Sequence, residues 1–266
     1  MRTSRRRHLA GVVSAALLAV AAASGLARAV AGAPDHSDYD RLLRKYVTKT
    51  GVRYAAWRAD DADRLGLKRY MVRMENVDVD ALRATPTGRE AVLAFWINLY
   101  NAATLDLVLE DYPVKTIKEL GGAAGSPWQR NVTASGGHAL SLDQIENEII
   151  RPTFHDPRVH FALNCAARSC PPLRAGAYLA DSLEAQLDEQ TRAFLSGAVE
   201  LGGGNPSKVR LPKIFDWYAK DFGASDDAVV AWLRPWVSAL AALPDSAKVD
   251  VKYADYDWTL NVATER

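Results

Sequence analysis

No cysteine lies near the N-terminus of this 266-residue sequence, which excludes a lipid anchor built on an N-terminal thiol. A basic excess is missing too. The formal net charge is +1, and it becomes −4 once residues 1–31, with five arginines and no acids, are removed. A mildly acidic chain offers no electrostatic footprint for nucleic acid. There is no internal repeat, no low-complexity tract and no second long apolar span without polar residues. Sulfur is scarce, and the two cysteines, Cys165 and Cys170, fall in one stretch, HFALNCAARSCPPL (160–173).

What is present begins with a basic head (Arg2, Arg5, Arg6, Arg7), an apolar stretch and then small residues. This is the three-part layout of a secretory signal peptide. Ala27-Arg28-Ala29 and Ala29-Val30-Ala31 are candidate cleavage patterns, so the mature chain is expected to start near residues 30–32. The alternative is an uncleaved anchor through Leu9–Leu26. Ser4-Arg5-Arg6-Arg7-His8-Leu9 also resembles a twin-arginine export signal. The expectation is a periplasmic or extracellular protein, with a signal peptide over 1–31, one globular domain over 35–266 and no stable membrane span after cleavage.

Asp38–Leu82 is helical in pattern, with Gly51 closing the first helix and GVRYAAW as a short extended link. Thr87-Gly88-Arg89-Glu90 has capping-box spacing and opens REAVLAFWINLYNAATLDLVLEDYP, a helix apolar nearly all round until Pro113. Such a helix must be covered on every side, and Asn98, Asn101 and Asp106 argue against a membrane span. A hairpin turning at Ser135-Gly136-Gly137 follows. Ser141-Leu142-Asp143-Gln144 is a second capping box, for a helix that stops at Pro152. Arg158–Asn164 reads as a short strand, and an amphipathic helix starts at Ser182. VELGGGNPSKVRL reads as a hairpin, KIFDWYAKDFG and DDAVVAWLRPWVSALAAL as helices, and KVDVKY as a final strand. The pattern predicts an α+β fold: a central buried helix on a small, mostly antiparallel sheet with surrounding helices. A buried helix, hairpins and a cysteine-bearing loop also loosely resemble papain-like and transglutaminase-like folds, as an analogy of fold alone.

AFWINLYNA (94–102), SLDQIENEIIR (141–151), DPRVHFALNCAARSCPPL (156–173), KIFDWYAKDFG and YDWTLN come in an order that resembles the domain of unknown function 547 family. The likeness runs from about Val52 to Asn261. It implies a fold and the place of a site, and no particular reaction. Ala166-Ala167 departs from the Gly-Ser expected there, which removes loop flexibility and a hydroxyl.

Three roles compete for the two sulfurs. Cys165 is a candidate nucleophile if a histidine or cation lowers its pKa. His160 is the nearest base in sequence, Arg168 a nearby cation, and His138 or His155 alternative bases. Alternation along a strand places His160, Ala162 and Asn164 on one face and Cys165 on the other, so a dyad requires the strand to end at Asn164. A Cys165–Cys170 disulfide is the second role, favoured by export. Zinc held by His160, Cys165 and Cys170 is the third, and it lacks a fourth ligand and the usual spacing.

Asn98 and Asn101, at i and i+3 on the central helix, need hydrogen-bond partners: a loop backbone, or a substrate for which Asn98 is an oxyanion donor. Glu146 is a candidate partner for Arg158 or His160. Trp217, Tyr218, Trp232, Trp236 and Trp258 read as core more than as a ligand platform. The expected function is a binding or scaffolding module with the cysteines bonded. Its ligand is an unknown small molecule or cell-envelope component, and no metal or cofactor is implied. The alternative is a thiol-dependent acyl transferase or hydrolase acting on a peptide, amide or cell-envelope substrate. Its candidate residues are Cys165, His160 and Asn98, with Asn101, Glu146, Arg158, Asn164 and Arg168 around them.

Overall fold

Apolar residues recurring every three or four positions build four helices between Ser37 and Arg83. α1 (Ser37–Tyr46) buries Tyr39, Leu42, Leu43 and Tyr46 along one face. α2 (Tyr54–Ala59), α3 (Asp61–Glu75) and α4 (Val79–Arg83) follow. Asp60 and Asp78 cap α3 and α4 by accepting from the amides of Asp63 and Ala81. The computed structural model describes residues 34–264. The expected signal segment 1–31 lies outside the described residues.

Two expectations for this region are corrected. The first helix ends at Tyr46, and Gly51 sits in a two-residue hairpin of β1 (Val47–Thr48) and β2 (Gly51–Val52). There its φ is +138°, and a Cβ would fall 2.2 Å from the carbonyl oxygen of Asn261, so the close approach demands glycine. Of the expected extended link only Gly51 and Val52 are extended; from Tyr54 the chain is α2, stabilised by complete burial of Tyr54 and Trp57.

α5 (Gly88–Asp111) is the central helix. Every residue from Ala91 to Leu105 is buried. By length and composition it is apolar enough to cross a membrane, and 94% of that window is covered by the rest of the protein. Thr87 precedes it without the predicted capping bond, because its backbone (φ −100°, ψ 30°) is not in the extended conformation that aims an N-cap side chain inward. A cis Tyr112–Pro113 bond follows its end.

The β structure is spread over three small sheets instead of one beneath α5. β3 (Asn131–Ser135) and β4 (His138–Ser141) pair across Gly136-Gly137, both with positive φ. β5 (Glu200–Gly202) and β6 (Asn205–Leu211) form the second predicted hairpin, and β7 (Asp250–Tyr253) joins β6 in parallel. The fold is α+β.

The S-x-x-Q capping box is present. Gln144 N–H donates to Ser141 Oγ at 3.2 Å, and Ser141 N–H donates to Gln144 Oε1 at 3.1 Å. The segment it opens is π-helical over Gln144–Ile150 and passes into α6 (Arg151–Phe154). Pro152 does not stop it, since the first turn of α6 does not need the missing amide.

The predicted strand 158–164 is also corrected: Val159–Ala162 is a single helical turn, α7. Asp156 starts it by accepting from Arg158 N–H at 3.0 Å. Asn101 ends it, donating to Ala162 O at 2.9 Å and accepting from Asn164 N–H at 2.8 Å. An amide side chain thus takes the backbone groups that a strand partner would have used.

α8 (Leu183–Ala198), α9 (Ile214–Trp217), α10 (Asp226–Leu233) and α11 (Ser238–Ala241) complete the chain. The two predicted late helices are each broken, the second near Pro235, as a helix-interior proline requires.

Two apolar cores result. One surrounds α5; the other gathers Phe161, Phe194, Leu211, Phe215, Phe222 and Leu233. α7 lies between them, giving Val159 and Ala162 to the first core and Phe161 to the second. The final segment runs as a strap across both early and middle parts of the chain. Leu260 N–H donates to Lys115 O, Asn261 N–H to Ala166 O, and Val52 N–H to Asn261 O.

Candidate functional site

The loop after α7 is shaped by Asn164. Its amide nitrogen donates to Pro171 O at 2.8 Å, and its side-chain oxygen accepts from Ala166 N–H at 2.9 Å and Asn261 Nδ2 at 3.3 Å. Ala166 takes φ +59°, a left-handed conformation that suits the glycine expected there from the resemblance. The turn brings Cys165 and Cys170 together in a disulfide, with S–S 2.10 Å and Cα atoms 6.2 Å apart. The hydroxyl of Tyr256 lies 3.2 Å from each sulfur.

His160 projects from α7 and is stacked on Tyr218, with ring centroids 3.9 Å apart. Its Nε2 is 2.7 Å from Asp221 Oδ2. Arg151 donates to both oxygens of the same carboxylate, at 2.7 and 3.0 Å. Burial of Asp221 opposes ionisation, but the hydrogen bonds from His160 and Arg151 outweigh it and hold the carboxyl well below its usual range. The carboxylate can only accept, so Nε2 carries a proton and Nδ1 is the nitrogen left for other chemistry.

Glu146, on the π-helical turn, accepts from Tyr100 Oη at 3.1 Å. Burial, and secondarily the Glu146 charge, push the Tyr218 phenol well above its ordinary pKa. Burial does the same for Tyr256.

These groups enclose a cavity of about 260 Å³. Glu146, His160, Cys165 and Cys170 line it beside Tyr100, Trp128, Trp217, Tyr218, Tyr256 and Trp258. Because 159–162 is helical, the alternation that separated His160 from Cys165 does not apply, and both face the same space. A larger cavity of about 400 Å³ lies against the other side of the disulfide loop, lined by Lys49, Arg168, Lys213 and Asp255. It shares Cys170 and Tyr256 with the first. The buried carboxylate, the imidazole and both sulfurs converge on the smaller cavity, which is therefore the candidate site.

Other predicted site residues lie elsewhere. Asn98 donates to Tyr178 O at 2.8 Å and accepts from Tyr178 N–H at 2.9 Å, away from either cavity. Asn101 and Asn164 use both their amide oxygen and nitrogen in the loop hydrogen bonds described above. Glu146 meets neither predicted partner: Arg158 turns to Asp156, Glu184 and Asp188, and His160 turns to Asp221. Arg168 faces the larger cavity. His138 and His155 are exposed and line neither one. Trp232 and Trp236 pack against the second core, whereas Trp217, Tyr218 and Trp258 line the cavity.

Asp221, Tyr256, Tyr100 and Trp128 were not singled out from the sequence. Asp221 stands 61 residues from His160, and nothing around Lys220-Asp221-Phe222 marks it as a partner. Among the described residues no group of three or more His, Cys, Asp or Glu is placed to hold a metal ion.

Neither a curated protein nor a solved structure matches the chain. Residues 85–195, which carry α5, Glu146, His160 and the disulfide loop, match the family model described as protein of unknown function, DUF547. Over those residues the chain is similar to that family.

Proposed function

We propose that this protein is an exported binding module whose aromatic-walled cavity takes a small molecule or a cell-envelope component. One observation carries the reading: the two sulfurs at the cavity are bonded to each other. The loop therefore offers a shaped wall and no resting thiolate. A basic-apolar-small N-terminal segment and a disulfide both suit an oxidising compartment, which supports export.

A thiol titration of the native protein tests the reading. The expected result is no alkylation until a reductant is added, in native and in denaturing buffer alike. A single fast-reacting thiol at Cys165 in native protein would sink it.

That outcome favours the second reading, a thiol-dependent acyl transferase or hydrolase. Its supporting observation is that Cys165 and His160 line one cavity while Asp221 fixes the far nitrogen of the imidazole. Cys165 would then be nucleophile, His160 base and Asp221 the group that orients the base.

A further inference from the structure

Burying a carboxylate without a direct ion pair is costly, and the aromatic cavity holds one. Glu146 keeps only 7% of its surface exposed. Its neighbours are the neutral hydroxyls of Tyr100, which donates to it at 3.1 Å, and Tyr218, and it forms no ion pair among the described residues. Asp143, one turn earlier and on the same wall, meets the neutral amide of Asn147. Arg151, on the next turn, is near enough to feel the Glu146 charge but spends its hydrogen bonds on Asp221. Among the described residues no lysine or arginine lines this cavity, whereas the cavity across the disulfide has three.

The rest of the wall is aromatic. Trp217, Tyr256 and Trp258 form one cluster, with centroid separations of 4.7, 4.5 and 5.7 Å. Ring faces attract cations, and this wall already does so: Lys118 Nζ lies 3.8 Å from the Trp258 centroid and Arg151 4.9 Å from that of Tyr218. A bare inorganic cation would need about six or more oxygen ligands. Two carboxylates among rings suit a cation that brings its own apolar coat.

We infer that the cavity selects an alkylated ammonium group, its charge facing Glu146 and its methyl or methylene surface lying on Trp217, Tyr256 and Trp258. This rests on the reading of the cavity as a binding site and names its ligand class.

Choline and its uncharged isostere 3,3-dimethylbutan-1-ol are the probes, titrated calorimetrically into the disulfide-intact protein. Choline is expected to bind saturably and about tenfold or more tighter than the alcohol. Glu146→Gln is expected to bring choline down to the alcohol's affinity. Should that variant not fold, Asp143→Asn is expected to weaken choline several-fold and leave the alcohol unchanged.

Equal affinities that Trp217→Ala abolishes would overturn the cation and keep the binding module. No saturable binding of either probe overturns the inference, and a native Cys165 that also alkylates removes the module reading with it. Cosedimentation with phosphatidylcholine vesicles, reversed by free choline, would assign the group to a lipid head. Choline binding without cosedimentation would assign it to a soluble molecule. Either result supports the inference.

Discussion

Two sets of buried polar side chains lie close in this protein and are used in opposite ways. Asn98 and Asn101 on α5 have both their amide oxygen and nitrogen bound to backbone of the loops they hold. Glu146 and His160 are as deeply buried, but each turns toward an open cavity and keeps capacity for a further partner. The first pair is structural because the oxygen and the nitrogen of each amide are both spent on loop backbone. The second pair marks a site because that capacity faces the cavity. Burial alone does not separate the two cases; where each polar atom finds its partner, and whether it faces a cavity, does.

The contrast is breakable, and the largest effect is expected at the structural pair. Asn101→Ala strips Ala162 O and Asn164 N–H of their partner, and two orphaned backbone groups cost about 4 kcal/mol. Urea unfolding should show that loss, whereas Glu146→Gln should change stability far less. Equal losses would erase the distinction.

Next is a test of pH. Burial pushes His36, in contact with Tyr70 Oη at 2.8 Å, down to about 4. Its folded form resists protonation, so the unfolded chain binds more protons between pH 6.5 and 4. Stability is therefore present above about 6.5 and falls on acidification, by roughly 3 kcal/mol in all. Asp221 is also depressed, and its contribution is lost only when pH drops through a folded value well below the usual carboxylate range. Melting curves from pH 7 to 4.5 should therefore slope down in the wild type and flatten in His36→Gln. An Asp221→Asn variant should keep the wild-type slope over that window.

The disulfide closes a very small loop, so removing it by Cys165→Ser with Cys170→Ser is expected to cost about 2 kcal/mol. Its larger effect should be on the cavity it walls, read as weaker choline binding at unchanged secondary structure. The smallest stability change, below about 1 kcal/mol, is expected for Trp217→Ala, because that ring is 45% exposed. Its choline affinity should nonetheless fall several-fold, which is the signature of a residue kept for contact instead of folding.

Local signals were legible in the sequence and long-range ones were not. α5 was readable because an all-round apolar helix has one physical solution. The S-x-x-Q box and the two glycine turns were readable because their chemistry is complete within a few residues. Val159–Ala162 was misread as strand: its aromatic and branched residues suit one, and the decisive groups include Asn101, about sixty residues away. Thr87 shows the converse, a correct spacing defeated by its own backbone angles. At the site, His160, Glu146 and the disulfide could be nominated from one stretch each. Asp221 and Tyr256 could not, because their significance exists only after the second core has placed them beside α7.

The strap formed by the last residues has a consequence in time. A chain is made from its N-terminus onward, and Cys165 emerges 91 residues before the tyrosine that covers its sulfur. Asn261, which Tyr54 grips at 2.8 Å and which itself reaches Asn164, emerges later still. The helical core can thus assemble while synthesis continues, before the segment that lies over the sulfurs exists. The cavity, by contrast, has no wall on the Tyr256–Trp258 side until nearly the whole sequence has been made. Its completion reports that everything before it is in place.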